Sequence, residues 1–223
     1  MLPPVTPVRL TGTCRLVPSL YPSEGILDRI ATADDLAAII ELESWTNDRV
    51  STELGILHRL PKSEWVTGKP MSSVVMAAYC HPRPTGGRFN SPDRGAWYAA
   101  TTLDAAHAEV IYHRTRELTE IGVLETRVQM RLYTADFHTT LSDIRANVPE
   151  YISYHDPVSY TASQALAAQL LTAGANGIIY RSVRYPGGEC VACFRPKLVK
   201  SVRPAAHFEY RWTGTPTPDV RRL

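Results

Sequence analysis

Seventeen prolines are spread along the 223 residues, from Pro3 to Pro218. Proline lacks the N–H that a helix interior needs and its ring clashes with the preceding turn. A long coiled coil or a plain helical bundle is therefore excluded, and the chain must be built from short elements joined by many turns. With 44% hydrophobic and 21% charged residues it has the balance of an ordinary globular domain. Lys and Arg total 24 against 22 Asp and Glu, a formal charge of +2. That excludes a strongly basic chain gripping a nucleic-acid backbone by bulk charge, but not a local anion pocket. No apolar run approaches the roughly 20 residues needed to cross a bilayer. The opening MLPPVTPVRL lacks the apolar core of a secretory signal. These features predict a cytoplasmic protein with no membrane span.

The pattern along the chain predicts one α+β domain. Residues 1–9 read as a proline-rich lead-in, and a short strand follows over Thr11 to Val17. The prolines of VPSLYP then take the chain out of the sheet. Ala, Leu and Ile recur at helical spacing from Asp28 to about Leu42, as one helix or two, and Leu54 to Leu60 reads as a further short element. HPRPTGGRFNSPDRGAWYAA, from His81 to Ala100, starts with turn residues and ends as a strand. It has neither the glycine spacing of a dinucleotide fingerprint nor the Lys-Ser/Thr ending of a P-loop. Thr102 caps a helix over Leu103 to about Leu118, Val123 to Tyr133 alternates as a strand, and Phe137 to Tyr160 reads as mixed and turn-rich. Thr161 caps a second helix, which Gly174 ends. Gly177 to Val183 and Val191 to Phe194 read as strands around a PGG turn, and the last residues, 211–223, are poor in core formers.

The polar residues allow several chemistries. Arg88, after two glycines, either presents its donor fork to a phosphate or carboxylate or makes a surface ion pair. Arg15 could supply a second guanidinium. Tyr98 could stack on a flat ligand group or pack in the core, while Trp97 points to the other side of the strand. Glu109 sits among small apolar residues, where a carboxylate could orient a sugar hydroxyl or stabilise charge at an anomeric carbon; an exposed helix glutamate is the simpler alternative. Ser182 could bind ligand through its hydroxyl, but no GxSxG elbow surrounds it. Glu189 and Asp156 are lesser carboxylate candidates. His58, His107 and His113 form no HExxH or other zinc array, and no metal is expected. Cys190 and Cys193 form a CxxC on a strand, where residues three apart face opposite sides. With Cys14 and Cys80 they read as free structural thiols.

Taken together, GGRFN at Gly86–Asn90, WYAA at Trp97–Ala100, Glu109 in the next helix and GANGIIYRSVRYPGGECVACF resemble the RES domain family, named for its Arg, Glu and Ser residues. CRLVPSLYP and WTNDRV (Trp45–Val50) are similar to a longer-chain subgroup. Two departures stand out: Phe89 occupies a position where tryptophan is common, and Ser182 lies in RSVR rather than next to a proline. The resemblance implies a catalytic domain over residues 10–200, containing an inserted helical region at about 28–60, with a lead-in at 1–9 and a peripheral extension at 201–223. It implies a single mixed sheet similar to the ADP-ribosyltransferase fold.

The same resemblance implies a toxin that degrades NAD by cleaving the nicotinamide–ribose N-glycosidic bond, with NAD as substrate and no cofactor. Water would give ADP-ribose and nicotinamide; in some relatives inorganic phosphate takes the place of water. Arg88 and Arg15 would bind NAD, Tyr98 would stack on nicotinamide, Glu109 would stabilise the oxocarbenium-like transition state, and Ser182 would position the ribose or amide. The alternative is an ADP-ribosyltransferase acting on a protein, nucleic acid or small molecule. The implied partners are an Xre-type helix-turn-helix antitoxin and further copies of the chain, with no direct nucleic-acid binding.

Overall fold

In four strands, even-numbered residues face one side of a sheet and odd-numbered residues the other, and both faces are buried. Trp97, Ala99, Val191, Cys193, Ile179, Tyr133, Ala135 and Phe137 belong to one apolar core. Ala100, Cys190, Ala192, Ile178, Tyr180, Met130 and Leu132 belong to a second core on the opposite face. The period of two that a strand imposes is thus kept across four strands.

A computed structural model of the chain describes residues 2–21, 24–29, 32, 34 and 55–223. Its strands are β1 (Val5–Pro18), β2 (Trp97–Ala100), β3 (Glu125–Asp143), β4 (Gly177–Arg181), β5 (Glu189–Cys193), β6 (Lys200–Thr213) and β7 (Asp219–Arg222). The helices that matter for the site are α1 (Ser72–Cys80), α2 (Leu103–Glu120) and α3 (Thr161–Thr172). The sheet order is β1-β2-β5-β4-β3-β6-β7, and β1 also pairs with β3. All pairings are antiparallel except β3 with β4. α1 packs on the Trp97 face, through Val74, Val75, Met76 and Tyr79. α2 and α3 pack on the other, through Ala105, Ala106, Leu166, Ala167 and Leu170. The expected α+β class with one mixed sheet is observed.

Several local expectations hold for the stated reasons. Thr102 accepts a hydrogen bond from Ala105 N–H at 3.3 Å and starts α2. β1 ends at Pro18, as the prolines of VPSLYP require. Gly174 follows α3 with φ +79°, a left-handed conformation suited to a residue without Cβ. Thr161, expected as the cap, is instead the first residue of α3, and Tyr160 before it makes no side-chain cap.

Other expectations are corrected. The lead-in is sheet, since β1 begins at Val5 and pairs with β3 from Val5↔Ser142 onward. Residues 137–143, read as turn-rich, continue β3, and Phe137 and Leu141 are fully buried. The extension read as peripheral contains β6, which runs antiparallel along β3 and buries Phe208, Tyr210 and Trp212. Burying each such side chain contributes roughly 1.5–3 kcal/mol, so this strand belongs to the core. Only β7 at its edge is exposed along its length. The helix expected over residues 28–42 and WTNDRV at 45–50 fall largely or wholly outside the described residues. Leu57–Arg59 forms a short 3-10 turn where a short element was expected.

Candidate active site

A cleft of about 300 Å³ opens between the end of β1, the 82–96 turn, β2 and α2, with β4 and β5 at its floor. Arg15, Arg88, Tyr98 and Glu109 all line it. Four residues from four separate elements, singled out by sequence, therefore meet in one place. Ser182 is not in the lining, but it reaches the site indirectly. Its hydroxyl donates to Glu109 Oε1 at 2.8 Å. The serine oxygen, Ser182 Oγ, accepts from the backbone N–H groups of Arg184 at 3.2 Å and Tyr185 at 3.0 Å. That turn fixes the serine, and the serine fixes the carboxylate.

The 82–96 turn is built to hold Arg88. Gly86 has φ +72°, and a Cβ there would collide with the carbonyl of Asn90. Gly87 N–H donates to that carbonyl at 3.0 Å, which closes the loop. From β2, Tyr98 reaches back into the turn. Its hydroxyl accepts from Phe89 N–H at 2.8 Å and donates to Asn90 Oδ1 at 2.8 Å. From α3, Gln164 Nε2 donates to the carbonyls of Thr85 and Gly87 at 3.0 and 2.9 Å. Burial holds the Tyr98 phenol well above its usual range, so it remains a neutral donor.

Arg88 itself is 8% exposed. Its guanidinium donates to the carbonyls of Tyr154 and Asp156, at 3.2 and 2.7 Å, and stacks on the Tyr160 ring at 4.6 Å. Arg15 donates to the Tyr98 carbonyl at 3.0 Å and lies over Trp97 at 4.8 Å. Burial pushes its pKa down to about 10, which leaves it charged at neutral pH. Among the described residues neither arginine forms an ion pair. Their charges are solvated by carbonyls and rings but not cancelled, which suits an anionic ligand group.

Sequence reasoning missed Tyr160 and Tyr180, which also line the cleft, as does His113, read from sequence as a surface or packing residue. His113 could have been found from its place one helical turn after Glu109; the two tyrosines carry no local signal. The lesser carboxylates are structural. Glu189 pairs with Arg145 at 3.0 Å, and Asp156 caps its own turn through the N–H groups of Val158 and Ser159, both at 2.7 Å. All four cysteines are free and buried. Cys190 and Cys193 belong to opposite cores, and burial pushes their thiols up to about 12 and about 11. Such thiols are poor nucleophiles at neutral pH. Among the described residues no helix is long and apolar enough to cross a membrane.

The model of the RES domain matches residues 56–213. An uncharacterized protein, y4oC, of Sinorhizobium fredii (strain NBRC 101917 / NGR234) is 25% identical over 203 residues, covering 90% of this chain and 83% of that protein. A chain from the crystal structure of the M. tuberculosis MbcT-MbcA toxin-antitoxin complex is 14% identical with a TM-score of 0.44, over 89% of this chain and 86% of that one. The family match takes in the arginine turn, Glu109 and Ser182, and the chain belongs to the RES domain family.

Proposed function

We propose that this chain cleaves the bond between nicotinamide and ribose in NAD. The observation that carries the reading is a carboxylate held in place by Ser182 inside a cleft whose buried Arg88 and half-buried Arg15 have no carboxylate partner among the described residues. Arg88 and Arg15 bind the diphosphate or the neighbouring ribose. Tyr98 offers its ring to nicotinamide while its hydroxyl stays engaged in the turn. Glu109 stabilises positive charge as it develops on the anomeric carbon. The electron pair of the C–N bond leaves with nicotinamide, which departs neutral, so no strong general acid is needed. Water adds its oxygen to the anomeric carbon and releases one proton, giving ADP-ribose. Inorganic phosphate in place of water gives the phosphorylated product instead. This reading carries with it the family's likeness to ADP-ribosyltransferases and a catalytic unit over most of the chain.

The test is turnover of NAD by the purified chain, with and without phosphate, with identification of the product. Glu109→Ala is expected to abolish nicotinamide release; full turnover in that variant would remove Glu109 from the mechanism. Nicotinamide release that requires an acceptor gaining ADP-ribose would replace hydrolysis by transfer. We propose further that the chain is the toxin of a pair whose antitoxin is an Xre-type helix-turn-helix protein. Co-expression with the neighbouring open reading frame should relieve growth arrest and yield a complex.

A further inference from the structure

His113 follows Glu109 by four residues, so one turn of α2 sets both side chains on the same face. Its Nε2 lies 3.9 Å from Glu109 Oε2. That is too far for a direct hydrogen bond and close enough for both atoms to reach one oxygen between them. Glu109 Oε1 is already engaged by Ser182, which leaves Oε2 facing the imidazole. On the other side of the ring, Nδ1 lies 3.5 Å from Arg83 Nη1. A guanidinium has donors only, so Nδ1 accepts and the ring proton sits on Nε2. Arg83 is itself fixed by Glu117 at 2.9 Å, which Arg114 also holds at 2.7 Å.

The surroundings keep this imidazole neutral. Tyr112 packs edge-on against it at 5.2 Å. Burial, and then the charges of Arg83, Arg184, Arg116 and Arg88, lower its pKa to about 3. These cations come from the 82–96 turn, the β4–β5 loop and α2 itself, and Glu109 is the anion opposite them. His113 and Glu109 are therefore a neutral donor beside an anionic acceptor, not an ion pair.

We propose that His113 is a second polar arm of the site, donating its Nε2–H to the same substrate hydroxyl whose proton Glu109 Oε2 accepts in a hydrogen bond. A hydroxyl both donates and accepts, so it satisfies the two arms together. A phosphate oxygen would meet the carboxylate with like charge. On the functional reading above, on which this rests, the hydroxyl belongs to the ribose whose glycosidic bond breaks. His113 exchanges no proton; it holds the sugar so that Glu109 faces the developing charge.

The experiment compares the full chain with His113→Phe and His113→Gln. Phenylalanine keeps a flat ring and removes the donor; glutamine restores an N–H donor in place of the imidazole. His113→Phe is expected to lower kcat for NAD roughly 10- to 100-fold, with His113→Gln recovering most of that loss and KM changing little in both. Unchanged kcat in His113→Phe, or equal losses in both variants, would overturn the proposal. Absence of NAD turnover in the unaltered chain would instead sink the functional reading. Long-range 1H–15N spectra of the ligand-free protein then judge His113 separately. A neutral ring with its proton on Nε2 from pH 5 to 8 supports the arrangement; an imidazolium or an Nδ1–H tautomer in that range refutes it.

Discussion

Replacing Tyr98 with phenylalanine keeps the ring that faces the cleft and removes a single oxygen. That oxygen accepts from Phe89 N–H and donates to Asn90 Oδ1, both at 2.8 Å, inside the turn that carries Arg88. Each hydrogen bond contributes roughly 0.5–1.5 kcal/mol net, and a buried N–H left without a partner costs about 1–3 kcal/mol. Phe89 is 1% exposed, so water does not readily replace the lost acceptor. The expected loss on Tyr98→Phe is about 2–4 kcal/mol, equivalent to roughly 4–16 °C in the unfolding midpoint of a chain this size. Urea unfolding and thermal melts measure it directly. NAD turnover measured in parallel is expected to show a raised KM, because a looser turn presents Arg88 less well, although the stacking surface is intact. Asn90→Ala removes one of the same two bonds, so the double variant should lose less than the sum of the singles. A loss below about 0.5 kcal/mol, or strict additivity with Asn90→Ala, would refute the view that the Tyr98 hydroxyl holds the arginine turn.

Ser182→Ala frees Glu109 Oε1 and strands the N–H groups of Arg184 and Tyr185; steady-state kinetics should show roughly a 10- to 100-fold fall in NAD turnover, and wild-type rates would show that Glu109 needs no such support. Gly86→Ala forces a Cβ against the Asn90 carbonyl at φ +72°, and chemical denaturation should register about 1–3 kcal/mol of destabilisation. Burial lowers the pKa of His113 to about 3 and that of His107 and His155 below the ordinary histidine value of 6.5. As pH falls below 6.5 the unfolded chain takes up protons first, so stability drops from there toward the folded-state pKa values. For His113 the slope approaches about 1.4 kcal/mol per pH unit, and unfolding midpoints at pH 7, 6, 5 and 4 should fall less steeply in His113→Gln.

What the sequence reveals depends on whether a residue's neighbours along the chain decide its fate. α2 was legible because Thr102 caps it locally and its apolar residues recur every turn. Trp97 and Tyr98, or Cys190 and Cys193, were legible because a strand sends residues at odd separations to opposite faces. The start of β1 was not, because Pro7 argues against a strand. The answer lies in tertiary pairing: among the described residues, the strand pairs over Val5 to Leu10 with β3 alone, and β2 pairs with β1 only at Cys14. One free edge tolerates a residue without an N–H. β6 was readable in principle, since Phe208, Tyr210 and Trp212 alternate, but the charged residues between them disguised a buried face. The link from Ser182 to Glu109 spans 73 residues of sequence, and no local pattern encodes it.

The described arginines are treated in two ways. Arg94 and Arg195 are neutralised by Glu64, Arg145 by Asp143 and Glu189, and Arg83 and Arg114, which also line the cleft, by Glu117. Arg15 and Arg88 are held by carbonyls and aromatic faces instead, which satisfies their donors and leaves the charge standing. Glu109 is treated the same way with the opposite sign, since its neighbours Ser182 and His113 are both neutral. Fixing uncancelled charges of both signs inside one cleft costs stability. Such a site has most to gain from a ligand that carries both signs itself. On the proposed reading that ligand is NAD, with its diphosphate toward the arginines and its cationic nicotinamide–ribose bond toward Glu109. The near balance of 24 basic and 22 acidic residues is therefore uninformative about the site: what matters is which of these charges the fold leaves unpaired.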